Sequence, residues 1–389
     1  MCMSKLNSFH NIILLSYNFL FFIFLPSTLQ LMGSNNITPL STLQPAPTTR
    51  ENEYEEIDWD NLGFKVTQTD YMFIAKSTLD GNFEQGQLKP FGNIQLNPSA
   101  GILNYGQGLI EGTKAYKRED GRIFLFRPHD SSIRMQIGAE RMCMLCPSVD
   151  QFVDAIKQTV LANKRWIPPA GKGTLYIRPL LMGSGAVLGV APAPEYTFLV
   201  YACPVGNYFK DATGALSLYI EEEVHRAACG GAGGVKSITN YAPVMKAMKN
   251  AKGKGFTDVL YLDSVNNKYI EEASCSNIFL IKGKVISTPK ANGTILEGVT
   301  KKSVIDIAHD LGYQVEERSI EVEELIRADE VFCTGTAVGV ALVGSVTYKA
   351  RRIEYKISEG IITQQLNSRL VEIQRGIVED KRNWIVEVK

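Results

Sequence analysis

The sequence predicts a mixed α/β protein built as two halves joined by a loop, and three observations carry that reading. A chain of 389 residues is too long for one ordinary core and suits two. Runs rich in β-branched and aromatic residues alternate with helix-period segments from Ile57 onward. Near the middle, PVGNYFKDATG (204–214) is rich in turn residues and separates the two series.

Residues 57–203 form the first half. Its strands are YMFIA (71–75), RIFLF (122–126), TLYIRPLLM (174–182) and YTFLVYA (196–202). Phe152, Val153, Ile156 and Val160 recur at helical spacing, in a segment that ends before Pro168. Residues 204–214 are the interdomain loop. The second half, 215–389, has strands at VLYLD (259–263), NIFLI (277–281) and KVIST (284–288). A helix from about Val299 places Val304, Ile307, Ala308 and Leu311 on one face, and Gly312 stops it. VEELIRA is a short helix, EVFCTGTAV a strand running into a turn, and 360–379 a final helix. The junction of the halves is the natural place for a ligand cleft.

Residues 1–56 are an N-terminal extension. The stretch 12–25, IILLSYNFLFFIFL, is strongly apolar and reads as a signal-peptide h-region or a short membrane span. A polar, Pro- and Thr-rich linker, about Ser34 to Tyr54, follows it. A start at Met32, which opens MGSNN, is preferred over both readings and would leave the upstream segment untranslated. Translation from Met32 would leave a cytoplasmic protein, and a retained extension points to plastid or mitochondrion.

Forty-one basic residues balance forty-one acidic ones, so no global field draws the chain to nucleic acid or to an anionic membrane. Seven cysteines are no disulfide framework. Cys143 and Cys146 form one C-x-x-C without a second pair, which reads as packed thiols rather than a zinc site. The four histidines are too scattered to suggest a metal.

The most informative segment is GGAGGVKSITNYAP (230–243). Four glycines in five positions are entropically costly, and suit a sharp bend or the close approach of a bulky planar group. Lys236 follows, then Asn240 and Tyr241. A lysine fixed beside a cofactor's positive charge loses proton affinity and can form an imine. A phosphate loop of the Walker type needs glycine immediately before the lysine, and Val235 stands there. Two other segments stand out. In YIEEASCSNIFLIKG (269–283), Glu271 or Glu272 could point inward and keep a pyridine nitrogen protonated. In GTILEGVTKKSVIDIA (293–308), the free N–H groups of Val299 and Thr300 at a helix start could cradle a phosphate.

In combination these motifs closely resemble the branched-chain aminotransferases of the fold-type-four (class IV) pyridoxal-phosphate family, plant members above all. LNYGQGLIEGTKAY (103–116), LFRPHDSSIRM (125–135), LYIRPLLMGSGAVLGVAPAPEYTF (175–198) and EVFCTGTAVG (330–339) carry the resemblance, which runs from 57 to 388. It implies the two-domain D-amino-acid-aminotransferase-like fold, with pyridoxal 5′-phosphate at the domain interface. It also implies a homodimer in which a partner's loop completes the pocket. Its substrates would be amino acids and 2-oxo acids, and no membrane is expected for the catalytic core.

Position by position, the resemblance makes Lys236 the Schiff-base lysine and proton carrier. Glu272 is the acid at the pyridine nitrogen, and Tyr241 the donor to the phenolic oxygen. Arg134, the N–H groups of Val299 and Thr300, and the Thr336 hydroxyl would hold the phosphate. Tyr176 and Arg178 lie near the substrate α-carboxylate, where Ala337 adds a backbone donor. Tyr105, Ile110 and a partner's Val190 would line the side-chain pocket. Ile110 stands where many relatives have phenylalanine, which makes methionine-derived or chain-elongated 2-oxo acids an alternative substrate class. Glu297 replaces a common proline and places an acid near the phosphate. A non-enzymatic nucleotide-binding module is the alternative from a different class.

Overall fold

The computed structural model describes residues 57–389 apart from 79–80, 210–213 and 358–359. The apolar N-terminal segment, Met32 and the middle of the 204–214 loop lie outside the described residues.

Two sheets organise the described chain. The first runs Ile385–Val388, Ile123–Phe126, Thr113–Lys117, Thr174–Gly183, Glu195–Val205, Tyr71–Thr78, Gln87–Pro90, with Gly108–Ile110 added beside Thr174–Gly183. Its longest pairing joins Thr174–Gly183 to Glu195–Val205, in register from Thr174↔Val205 to Gly183↔Tyr196. Side chains alternate between the faces of a strand. Leu175 and Ile177 therefore enter the core, while Tyr176 and Arg178 share the other face. Helices Pro128–Arg141 and Val149–Ala162 supply Met135, Phe152, Ile156 and Val160 to that core. The second of these helices starts at a capping box formed by Ser148 and Gln151.

The second sheet closes on itself. Ile270–Ala273, Asp258–Leu262, Leu216–Glu221, Gly339–Tyr348, Glu330–Gly335 and Asn277–Lys282 pair in turn, and the last pairs with the first through Glu272↔Asn277. The seam of this ring thus falls on one of the acids singled out in the sequence. Leu218, Ile220, Leu260, Ile278, Val331 and Val343 pack together in its core. A third core, containing Tyr116, Phe126, Phe279, Phe332, Val304, Leu366 and Trp384, draws on strands of both sheets and on helices Val299–Asp310 and Ile362–Gln374.

Four differences from the sequence reading have physical causes. Pro204 and Val205, read as loop, extend the strand that pairs with Thr174–Gly183. The final helix stops at Gln374, because Arg375 caps it and Gly376 takes a left-handed φ of 60°. Strand Ile385–Val388 returns to pair with Ile123–Phe126, so the end of the 215–389 stretch joins the first sheet. Of the C-x-x-C thiols, Cys143 is exposed on a left-handed residue at φ 52°. Only Cys146 is packed, and burial pushes its thiol up to about 12.

Candidate active site

A cavity of ≈ 500 Å³ is lined by strands of both sheets and by the 230–241 loop. Lys236 enters it from a backbone that is pinned twice. Ile110 N–H donates to the Lys236 carbonyl at 3.1 Å, and Ser237 bridges to Leu109. The Asn240 amide closes the glycine run behind the lysine, donating to the Ala232 and Val235 carbonyls at 2.8 Å each.

Two of the glycines are required by close backbone contact, and Gly230 by its left-handed φ of 77°. A Cβ on Gly233 would lie 2.5 Å from the Thr294 carbonyl oxygen, and one on Gly234 would lie 2.9 Å from that of Gly293. The loop that carries Lys236 is therefore seated on the turn that leads into helix Val299–Asp310. Inside the cavity, Lys236 Nζ donates to the Tyr241 hydroxyl at 3.3 Å.

Strand alternation separates the two adjacent acids. Glu272 lines the cavity. Glu271 faces away and accepts from the Thr294 hydroxyl at 2.5 Å. Glu272 is 2 % exposed and accepts from Leu296 N–H at 2.8 Å, with Asn277 Nδ2 at 3.4 Å. Burial pushes its carboxyl above the ordinary range, although Arg226, Leu296 N–H and Lys236 pull the other way. Arg226 is the partner that the sequence reading missed. Its Nη1 lies 2.8 Å from Glu272 Oε1, without the alignment of a hydrogen bond.

At the other end, helix Val299–Asp310 begins after Gly298 with no side-chain cap, so its first N–H groups remain available. Val299, Thr300, Thr336 and Arg134 all face the cavity there. Arg134 is already engaged. Its Nε and Nη2 donate to the two Glu111 oxygens at 2.7 Å each, and its Nη1 donates to the Glu297 carbonyl at 3.1 Å. Glu111, also missed in the sequence, is 0 % exposed. The Glu297 carboxylate pairs with Lys302 at 2.8 Å and does not line the cavity, so the acid expected near the phosphate is turned away from it.

Tyr176 and Arg178 stand together on the wall. Arg178 Nη2 donates to the Tyr176 hydroxyl at 3.1 Å, and its guanidinium lies 5.2 Å from the ring centroid. Arg178 Nε is buried without a partner, as is Thr334 Oγ1 on the cavity wall. Ile110 and Ala337 also line the cavity, along with Phe64 and Tyr208, which no sequence signal singled out. Phe64 stacks edge-on against both Tyr176 and Tyr208. Tyr105 and Val190 are not brought in. The Tyr105 hydroxyl donates to the Leu188 carbonyl on an exposed rim, and Val190 is 90 % exposed.

A family description for amino-transferase class IV matches residues 108–346. The chain belongs to the class IV aminotransferases. It is 60 % identical to the Arabidopsis thaliana protein named branched-chain-amino-acid aminotransferase 2, chloroplastic, over 93 % of this chain and 94 % of that one. It is 63 % identical to the mitochondrial branched-chain-amino-acid aminotransferase 1 of the same plant, over 87 % and 88 %. Among solved structures, the branched-chain aminotransferase of Thermoproteus uzoniensis with norvaline aligns with a TM-score of 0.70 at 25 % identity, covering 82 % of this chain and 100 % of the other. Among the described residues no helix is long and apolar enough to cross a membrane, and no group of His, Cys, Asp and Glu could hold a metal.

Proposed function

We propose that the protein is a branched-chain amino acid aminotransferase that holds pyridoxal 5′-phosphate in this cavity. It would move an amino group reversibly between leucine, isoleucine or valine and 2-oxoglutarate. The observation that carries the reading is one amine, Lys236 Nζ, in a cavity with a buried carboxylate at one end and an uncapped helix start at the other. The residues fit the cofactor's two charged ends and leave Thr334 Oγ1 and Arg178 Nε with unmet hydrogen-bonding capacity. When bound, the cofactor supplies an electron sink for the charge left on the substrate's α-carbon.

The protein supplies the rest. Lys236 Nζ would anchor the cofactor, and its amine is placed to hold the proton exchanged at the substrate's α-carbon. Its position follows from the pinned Ile110–Lys236 backbone. The Tyr241 hydroxyl holds the cofactor's phenolic oxygen. Glu272 keeps the ring nitrogen protonated, and that cation answers a carboxylate whose own partner is poorly aligned. Arg178, Tyr176 and the Ala337 N–H receive the α-carboxylate, while Phe64, Ile110 and Tyr208 exclude water around an apolar side chain. Val299 and Thr300 N–H, Thr336 and Arg134 hold the phosphate.

The exposed rim of Tyr105, Leu188 and Val190 fits a homodimer in which a second copy closes the side-chain pocket. Residues 57–203 and 215–389 serve in this reading as the two domains that flank the site. The organellar names of the two relatives support an organellar protein, and mapping the mature N terminus relative to Met32 tests that.

Purified protein should show a visible absorbance band that an added amino acid bleaches. Lys236→Ala should lose transamination by ~10⁴-fold or more, since anchor and proton carrier vanish together. An undiminished rate in that variant overturns the reading. Ile110 on the cavity wall supports a second reading, a preference for methionine-like substrates. Relative kcat/KM for leucine, isoleucine, valine and methionine decides between the two.

A further inference from the structure

The cofactor reading leaves an electrostatic gap. The proposed phosphate arginine is neutralised in advance, because both Glu111 oxygens sit on Arg134 at 2.7 Å and Glu111 is 0 % exposed. An arginine–glutamate pair has no net charge, and an uncapped helix start contributes only about half an elementary charge. A phosphate ester carries −1.5 to −2 (approximately) near neutral pH. The cation that answers it has to come from elsewhere.

A second cavity of ≈ 180 Å³ shares Gly112, Val299, Thr300, Gly335 and Thr336 with the first. No carboxylate residue lines it, and its cations are Lys114 and Arg375. Lys114 Nζ donates to the Ala337 carbonyl at 3.2 Å, one residue from Thr336. It makes no ion pair among the described residues, and burial alone pushes its pKa down to about 8. Lys114 is half-buried, and an ammonium partly withdrawn from water without a counter-charge is favoured when an anion completes the site.

We propose that Lys114 supplies the positive charge for the cofactor's phosphate, from the far side of the wall formed by Val299, Thr300 and Thr336. This rests on the cofactor reading above. Lys114 is a binding residue in this account, and it takes no part in proton transfer.

The experiment titrates apo-protein with pyridoxal 5′-phosphate and, separately, with pyridoxal, following the visible band. Wild type, Lys114→Met and Lys114→Arg are compared. Lys114→Met should weaken pyridoxal phosphate binding about 10- to 100-fold, the worth of a charge-assisted contact. Its affinity for pyridoxal, which lacks the phosphate, should be unchanged, and Lys114→Arg should recover most of the loss. Equal weakening for both compounds means a general structural role and overturns the proposal. So does unchanged cofactor affinity, including when the KM for amino acids rises, which would place Lys114 on the substrate carboxylate. If wild type itself binds neither compound, the cofactor reading fails instead, and the two failures stay distinguishable.

Discussion

Each end of the cavity is built on an arginine–glutamate pair, and the two pairs face the cavity differently. At the seam of the second sheet both Arg226 and Glu272 reach the cavity, and Glu272 is held by Leu296 N–H and Asn277 as well. Beside helix Val299–Asp310 only Arg134 reaches it, with Glu111 sealed behind. The geometries differ too. Arg134–Glu111 is a bidentate fork at 2.7 Å, whereas Arg226 meets Glu272 at 2.8 Å without alignment. Pairing lets both charges be buried. What faces the cavity, and how well its partner already satisfies it, then determines which ligand charge is still needed. The seam accepts a cation. The helix end has its charge cancelled and relies on Lys114.

Breaking the pairs is the sharpest way to test that contrast. Glu272→Gln should cut kcat by 10²–10⁴-fold (order of magnitude), because a neutral amide cannot keep the ring nitrogen protonated. The same variant should retain near-normal affinity for pyridoxal phosphate, and single-turnover kinetics with a binding titration separate the two quantities. Glu111→Gln should do the reverse. Removing one partner of a buried pair should cost about 3–5 kcal/mol of stability, read by denaturant unfolding. Cofactor affinity should hold or improve, since the Arg134 charge is no longer cancelled. If instead Glu111→Gln weakens pyridoxal phosphate as strongly as Lys114→Met, the cancellation argument is wrong.

The two ends are joined by the seat of the glycine run on the 293–294 turn, which gives a milder test. Gly233→Ala places a methyl 2.5 Å from the Thr294 carbonyl oxygen and should lower stability by roughly 1–3 kcal/mol. Pyridoxal phosphate affinity should fall alongside it, as the turn and helix start shift. At the rim, Val190→Asp should leave the visible band unchanged and raise the KM for leucine a few-fold in a dimer. Sedimentation of wild type as a monomer would remove the reason for that effect. Glu297→Pro should have the smallest consequence. The lost Lys302 pair is exposed and worth about 0–1 kcal/mol, so cofactor affinity should change by less than about 3-fold.

Sequence order and local chemistry made much of this legible. Strands 71–78, 174–183, 195–205 and 277–282 and the helix start at Val299 follow from periodicity and turn residues. Lys236, Tyr241 and Glu272 stand out because they sit in unusual motifs, and the structure gathers them in one cavity. Strands Thr113–Lys117 and Gly339–Tyr348 were missed because lysines and glycines interrupt their pattern. Glu111, Arg226 and Lys114 were missed for a different reason. Each is a lone charged residue whose meaning lies in a partner 23, 46 or 223 positions away, which no local window contains. The glycine run was noticed for its cost, but its backbone neighbour at 293–294 is equally remote in sequence.

Two lysines approach the cavity, and the account gives them different chemistry: Lys236 bonds the cofactor covalently, and Lys114 offers only charge. Borohydride reduction of the holo-protein followed by peptide mapping tests this directly. The account predicts the phosphopyridoxyl group on the peptide containing Lys236, with Lys114 unmodified. Label on Lys114, or label scattered over surface lysines with Lys236 free, would contradict it.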